Sequence, residues 1–127
     1  VSLRIGLSAE FEIQVGPSDT ATAVGSGDLE VLGTPRVVAL VEQATVQAVS
    51  GHLSPGQTTV GTEIALRHRR ASLPGARVVV AAELVEVDGS RLGFRVTAHE
   101  QGALVADGTV HRAVVDSDRF MRGLMSR

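Results

Sequence analysis

The chain has 127 residues, 43% of them hydrophobic and 20% charged with both signs mixed, which fits one globular domain spanning 1–127 rather than a disordered segment. A net charge of −2 offers no field to hold nucleic acid or an anionic membrane surface, so neither is expected as a partner. The absence of Cys excludes disulfides, thiolate metal sites and a Cys nucleophile, and with three Phe and no Trp or Tyr the core must be built from Val, Leu, Ile and Ala.

The opening "VSLRIGLSAE" has one Arg and no long apolar stretch, so it does not read as an export signal. No apolar run approaches the roughly 20 residues that span a bilayer, and a cytoplasmic location is expected. Phe11, Ile13 and Val15 alternate with Glu10, Glu12 and Gln14, the pattern of a half-buried strand. Then comes "GPSDTATAVGSGDLEVLG", Gly16 to Gly33, rich in Gly, Ser and Thr; loops of that length in a compact domain commonly carry function. In "TPRVVALVEQATVQAVSG", Thr34 is the expected N-cap, Pro35 the first helical residue and Gly51 the C′ residue. This is the one convincing long helix, with Arg36, Gln43, Gln47 and Ser50 gathered on its polar face.

Four strands follow: Val60 to Arg69, Arg77 to Val87, Leu92 to His99 and Ala103 to Val115, with "DGS" (Asp88 to Ser90) and "QG" (Gln101, Gly102) as the turn signals. The tail "DSDRFMRGLMSR" predicts a short final helix. One long helix and five strands make an α+β domain with an antiparallel sheet. The helix is more apolar than one sheet face demands, which predicts a helix wrapped by the sheet and a remaining edge or face paired to a second copy. That is the hot-dog arrangement.

Two ionisable residues fall on apolar faces. Glu42 has Val38, Ala39, Thr45 and Val46 as its helical neighbours, and a carboxylate there loses solvation unless it is paired or curls out to water. His68 closes the alternating row Val60, Thr62, Ile64, Leu66, His68, where a backbone carbonyl could equally satisfy it. A carboxylate and an imidazole aimed into one layer can form an acid/base pair. His52 follows the helix end and His99 lies near a turn, both ordinary solvated positions. The four His lack the spacing of a zinc site, "GTPR" and "GSGD" lack the Lys-Ser/Thr of a phosphate loop, and no G-x-S-x-G elbow occurs. No cofactor is expected.

Taken together, "GTP", "LVEQA", "VGTEIALRH", "LPGARVVVAAELVEVDGSRLGFRVTAHE" and "DGTVHRAVV" resemble the fluoroacetyl-CoA thioesterase family of hot-dog proteins, over about three quarters of the chain from Gly33 onward. The resemblance implies a catalytic Thr at the helix entrance, a Glu eight residues later and a His on the following strand, which fall on Thr34, Glu42 and His68. It also implies a Gly backbone amide before the His strand, Gly61, and an Arg on the last strand, Arg112, as substrate-binding positions. A homodimer with its active site at the interface is implied as well. Members that select the fluorinated acyl group carry an aromatic-containing lid before the catalytic Thr, whereas Gly16 to Gly33 has no aromatic residue.

The expected function is hydrolysis of a short or medium acyl-CoA thioester. Glu42 would attack or activate water, His68 relay protons, and the Gly61 amide stabilise the oxyanion. A non-catalytic acyl-CoA binding module on the same fold, or hydratase/dehydratase chemistry, are the alternatives; CoA release across a panel of acyl-CoAs separates them.

Overall fold

The computed structural model describes residues 2–127. The elements in chain order are β1 (Ser8–Gln14), a 3-10 turn (Pro17–Asp19), α1 (Ala21–Val24), α2 (Thr34–Ala48), β2 (Gln57–His68), β3 (Arg77–Asp88), β4 (Arg91–Glu100), β5 (Ala103–Asp116) and α3 (Ser117–Met125). The strands form one sheet in the order β1-β3-β4-β5-β2, every neighbouring pair antiparallel. Among the described residues no helix is long and apolar enough to cross a membrane.

The turns form where the sequence places them. Gln101 and Gly102 both have positive φ, 49° and 78°, as a tight hairpin between right-twisted strands requires. The core is the aliphatic one that the composition demands. α2 presses Val37, Leu40, Val41, Ala44 and Ala48 into the sheet, against alternate residues of β3 (Val78, Val80, Ala82, Leu84) and β4 (Leu92, Phe94, Val96, Ala98). Phe94 is the one aromatic residue in the buried core.

Three local expectations need correction, and each correction bears on the site. The helix starts one residue earlier than expected: Gly33 is the N-cap, with φ −77° and ψ 141°, and Thr34 is already helical. The Thr34 hydroxyl is therefore not spent on capping. At the other end Val49 is the C-cap, so Ser50 rather than Gly51 is the C′ residue, and Gly51, with φ 83°, follows it.

The second correction is to the row on β2. The pairing of β2 with β5 shifts between Gly61 and Glu63, so Thr62 is an extra, bulged residue. Before the bulge, Thr59 and Gly61 face α2; after it, Ile64, Leu66 and His68 do. Val60 and Thr62 do not share the face of His68.

The third is Gly16 to Gly33, which is folded rather than irregular. Its ends meet in a bridge between Thr20 and Leu32, and Ala21 donates to the Val31 carbonyl. Gly33 makes this packing possible, since a Cβ there would lie 2.8 Å from Val24 Cγ2 and 3.1 Å from Ala21 Cα.

β2 is a free sheet edge, and its inner neighbour β5 approaches it closely at one point. A Cβ on Gly108 would collide with the Ala65 carbonyl oxygen and lie 2.9 Å from Leu66 Cα. Both obstacles are backbone, which cannot swing aside. Gly108→Ala is therefore expected to force β2 off β5 at a cost of about 3 kcal/mol or more, a fall of about 10 °C in Tm for a domain of this size. An unchanged melting temperature would contradict the close approach.

Candidate active site

The entrance of α2 and the end of β2 meet. Thr34 Oγ1 and His68 Nδ1 share a hydrogen bond of 2.7 Å. The start of α2 is held by the folded segment before it: Asp19 accepts from the Gly16 amide (2.8 Å) and from Arg36 Nε (2.6 Å). Burial alone would raise the Asp19 carboxyl, but the Gly16 amide and the Arg36 guanidinium outweigh it and hold it below the usual carboxylate range. Burial lowers the His68 imidazole from the ordinary histidine value, with a backbone hydrogen bond at Arg70 opposing it. The ring therefore favours its neutral form. Its Nε2 is buried and has no hydrogen-bond partner. Thr34 and His68 line an open depression of about 280 Å³ together with Ala21, Val31, Leu32 and Gly33.

A second cluster sits farther along α2. Arg112 on β5 is 7% exposed, and its planar fork is nearly spent on protein partners. Nε donates to Thr59 Oγ1 at 2.9 Å, Nη2 to the Thr59 carbonyl at 3.0 Å, and Nη1 to Glu42 Oε2 at 3.0 Å. Burial lowers the guanidinium's pKa, while the charge of Glu42 and its hydrogen bond oppose that shift. Glu42 thus neither floats out to water nor lies unpaired on an apolar face. One carboxylate oxygen is fixed by Arg112, and the side chain keeps a third of its surface exposed.

Gly61 completes this cluster. Its pairing partner across the sheet is Arg112, and a Cβ at that position would stand 2.5 Å from Glu42 Oε2 and 3.5 Å from Arg112 Nη1. The missing side chain lets the carboxylate lie against the β2 backbone, immediately before the bulge.

The five residues singled out from the sequence therefore form two groups, Thr34 with His68 and Glu42 with Gly61 and Arg112. The structure does not bring these groups together in one chain. Eight residues of α2 separate Thr34 from Glu42, about 12 Å of helix. Sequence reasoning missed Thr59, whose hydroxyl and carbonyl both orient Arg112, and the Asp19–Arg36 pair. Thr59 precedes the strand expected from Val60, and the bulge that puts it on the face of Ile64 and His68 is invisible to a strict alternation. Among the described residues no cluster of three His, Asp or Glu is arranged to hold a metal ion.

Comparison with known proteins places the fold and the family. The profile of the fluoroacetyl-CoA-specific thioesterase family matches residues 15–118. A fluoroacetyl-CoA thioesterase of Streptantibioticus cattleyicolor is 42% identical over 91 residues, 72% of this chain and 66% of that protein, so the match spans just under two thirds of the relative's length. A crystal structure of the fluoroacetyl-CoA thioesterase FlK superposes with a TM-score of 0.92 at 32% identity, covering 100% of this chain and 98% of that one. A thioesterase superfamily member from Thermus thermophilus superposes with a TM-score of 0.88 at 27% identity, covering 98% and 94%. The five-stranded antiparallel sheet around one long helix is the hot-dog fold of these thioesterases. The chain belongs to the fluoroacetyl-CoA-specific thioesterase family.

Proposed function

We propose that this chain hydrolyses an acyl-CoA thioester, as a homodimer whose active site is assembled from two protomers. The observation that carries the reading is the division of the site into two incomplete halves. One half has a buried, partnerless imidazole nitrogen; the other has a carboxylate with one oxygen held and the other unclaimed. The family supports the substrate class, since a variant of FlK 35% identical to this chain has been crystallised with fluoroacetate and CoA.

The free edge of β2 supplies a way to join the halves. Residues opposite each other in an antiparallel pair share a face, so a two-fold axis must match inward residues with inward ones. A two-fold at Ala65 does so. Ile64 of one strand then faces the partner's Leu66, and the bulged Gly61–Thr62 meets the partner's His68. Val46, 47% exposed one turn beyond Glu42 on α2, would be covered by the same association.

In the assembled site Glu42 attacks the thioester carbonyl or takes a proton from the water that does so. The Gly61 amide stabilises the oxyanion that forms. The C–S bond breaks, water supplies the second oxygen of the carboxylic acid, and the proton that water gives up is passed through His68, held by Thr34, to the CoA thiolate. Arg112 spends its donors on Thr59 and one Glu42 oxygen. It acts as a positioning residue, setting which Glu42 oxygen is free.

Glu42→Gln keeps size and hydrogen bonding but can neither attack nor take a proton, so turnover should fall by about a hundredfold or more. Arg112→Lys keeps the charge and loses the fork. If Arg112 positions Glu42, the loss appears in kcat; a raised KM with kcat intact would make Arg112 a substrate contact instead. Near-wild-type thiol release from Glu42→Gln would remove Glu42 from the mechanism and favour a binding module.

The lowered His68 pKa sets the acid limb of activity. Turnover should hold as pH falls to the ordinary histidine value near about 6.5 and decline only below it. Because the unfolded chain binds the His68 proton more readily, the linked stability is fully present above that value and is lost as pH falls through the window below it. His68→Ala should abolish this limb in a pH–rate profile. A limb beginning above about 7 would contradict a buried, neutral ring.

With no aromatic residue between Gly16 and Gly33, discrimination between fluoroacetyl-CoA and acetyl-CoA should stay within about tenfold, the scale of a small apolar contact. Kinetics on the two substrates decide this. A preference of several orders of magnitude would show that other residues select the fluorine.

A further inference from the structure

The large apolar side chains left exposed are not spread evenly. Of the eleven among the described residues, four lie on the nine residues of α3: Phe120 (40%), Met121 (52%), Leu124 (38%) and Met125 (81%). Three more, Val24 (38%), Leu29 (69%) and Leu73 (68%), flank the segment that closes over the start of α2. Leu73 belongs there because its neighbour Ser72 accepts a hydrogen bond from the Leu32 amide. One patch stands beside the start of β2, where Ser117 donates to the Gly56 carbonyl. The other stands beside its end, next to the Thr34–His68 pair.

Within one chain these patches sit at opposite ends of a twelve-residue strand and cannot cover each other. An antiparallel two-fold across β2 reverses that. With the register argued above, Gly56 of one chain would pass beside the partner's Ser72–Leu73, and the α3 that follows β5 at that corner would lie over the partner's closing segment. The charges agree with the contact. α3 carries Arg119 and Arg122 against a single acid, Asp118, while the closing segment carries Asp28 and Glu30; none of these five forms an ion pair among the described residues.

We propose that the apolar face of α3 in one protomer docks on the Gly16–Gly33 segment and Leu73 of its partner, and forms the outer wall of the partner's Thr34–His68 depression. The inference rests on the two-protomer site proposed above. It assigns α3 a place in that site: the aromatic cover absent from the closing segment of one chain comes from the last helix of the other, as Phe120. Phe120 and Leu124, one turn apart on one face, are the contacts that would meet Leu29 and Leu73.

The chain has no Cys, so engineered cysteines report on this contact alone. Leu29→Cys in one chain and Met121→Cys in another, co-expressed and mildly oxidised, should give a covalent dimer in high yield. Ile5→Cys, equally exposed (65%) but near β1, should not cross-link to Met121→Cys. Phe120→Asp should raise KM for acyl-CoA about tenfold through loss of the wall, with most of kcat kept. Light scattering on the wild-type chain separates the failures. A dimer that does not cross-link overturns the α3 contact and leaves the shared site standing, whereas a monomer overturns both. A cross-linked dimer that releases no CoA from any acyl-CoA keeps the contact and overturns the hydrolase reading. If the cysteines fail to link and wild-type chain, but not Phe120→Asp, binds phosphatidylserine vesicles, α3 belongs to a lipid surface and the proposal is wrong.

Discussion

The buried guanidinium of Arg112 is the interaction on which the geometry of the site depends. It sits on β5, yet it reaches the side chain and backbone of β2 through Thr59 and the flank of α2 through Glu42. Three elements distant in sequence are thereby joined at one charge. An arginine so placed loses much of its solvation, and it is tolerable because its planar donors meet an ionisable carboxylate, a hydroxyl and a carbonyl. Replacing it with an apolar residue would ease the burial but leave Glu42 with no fixed orientation. The pair is better understood as orienting the Glu42 carboxylate than as a source of net stability.

Glycine does the complementary work by leaving space. At Gly61 the missing Cβ admits the Glu42 carboxylate; at Gly108 it lets β5 and β2 approach until only backbone separates them. At Gly33 it lets the preceding segment pack on the start of α2. None of the three has positive φ, so each is explained by close approach and not by backbone conformation. Together they explain how an almost wholly aliphatic domain holds polar groups against its helix: the polar atoms occupy space that side chains have vacated.

Much was legible in the sequence. The apolar run of β3, the alternation over β4, the turn residues at Gly89 and Gln101–Gly102, and the helix period of α2 specify an antiparallel α+β domain, because each is a short-range preference that tertiary contacts reinforce. Glu42 and His68 stood out because an ionisable residue on an apolar face is informative whatever packs against it. Less was legible about cooperation between residues. Alternation carried through Gly61–Glu63 misplaces Val60 and Thr62, since a bulge adds a residue without a local signal strong enough to announce it. Thr34 has the right composition for an N-cap, but the preceding glycine takes that position and frees the hydroxyl for His68.

What the sequence determined by itself, then, is the set of elements, the aliphatic character of the core and the identity of the ionisable residues that local physics leaves unexplained. Those are properties of near neighbours along the chain, and period and composition read them directly. Tertiary structure alone decided which groups touch: Glu42 to Arg112 across 70 positions, Thr34 to His68 across 34, and neither pair to the other. Contacts of that separation depend on strand order and on a single-residue register shift. No window along the sequence contains both ends of such a contact, so only the folded chain can show that the five residues fall into two separate groups.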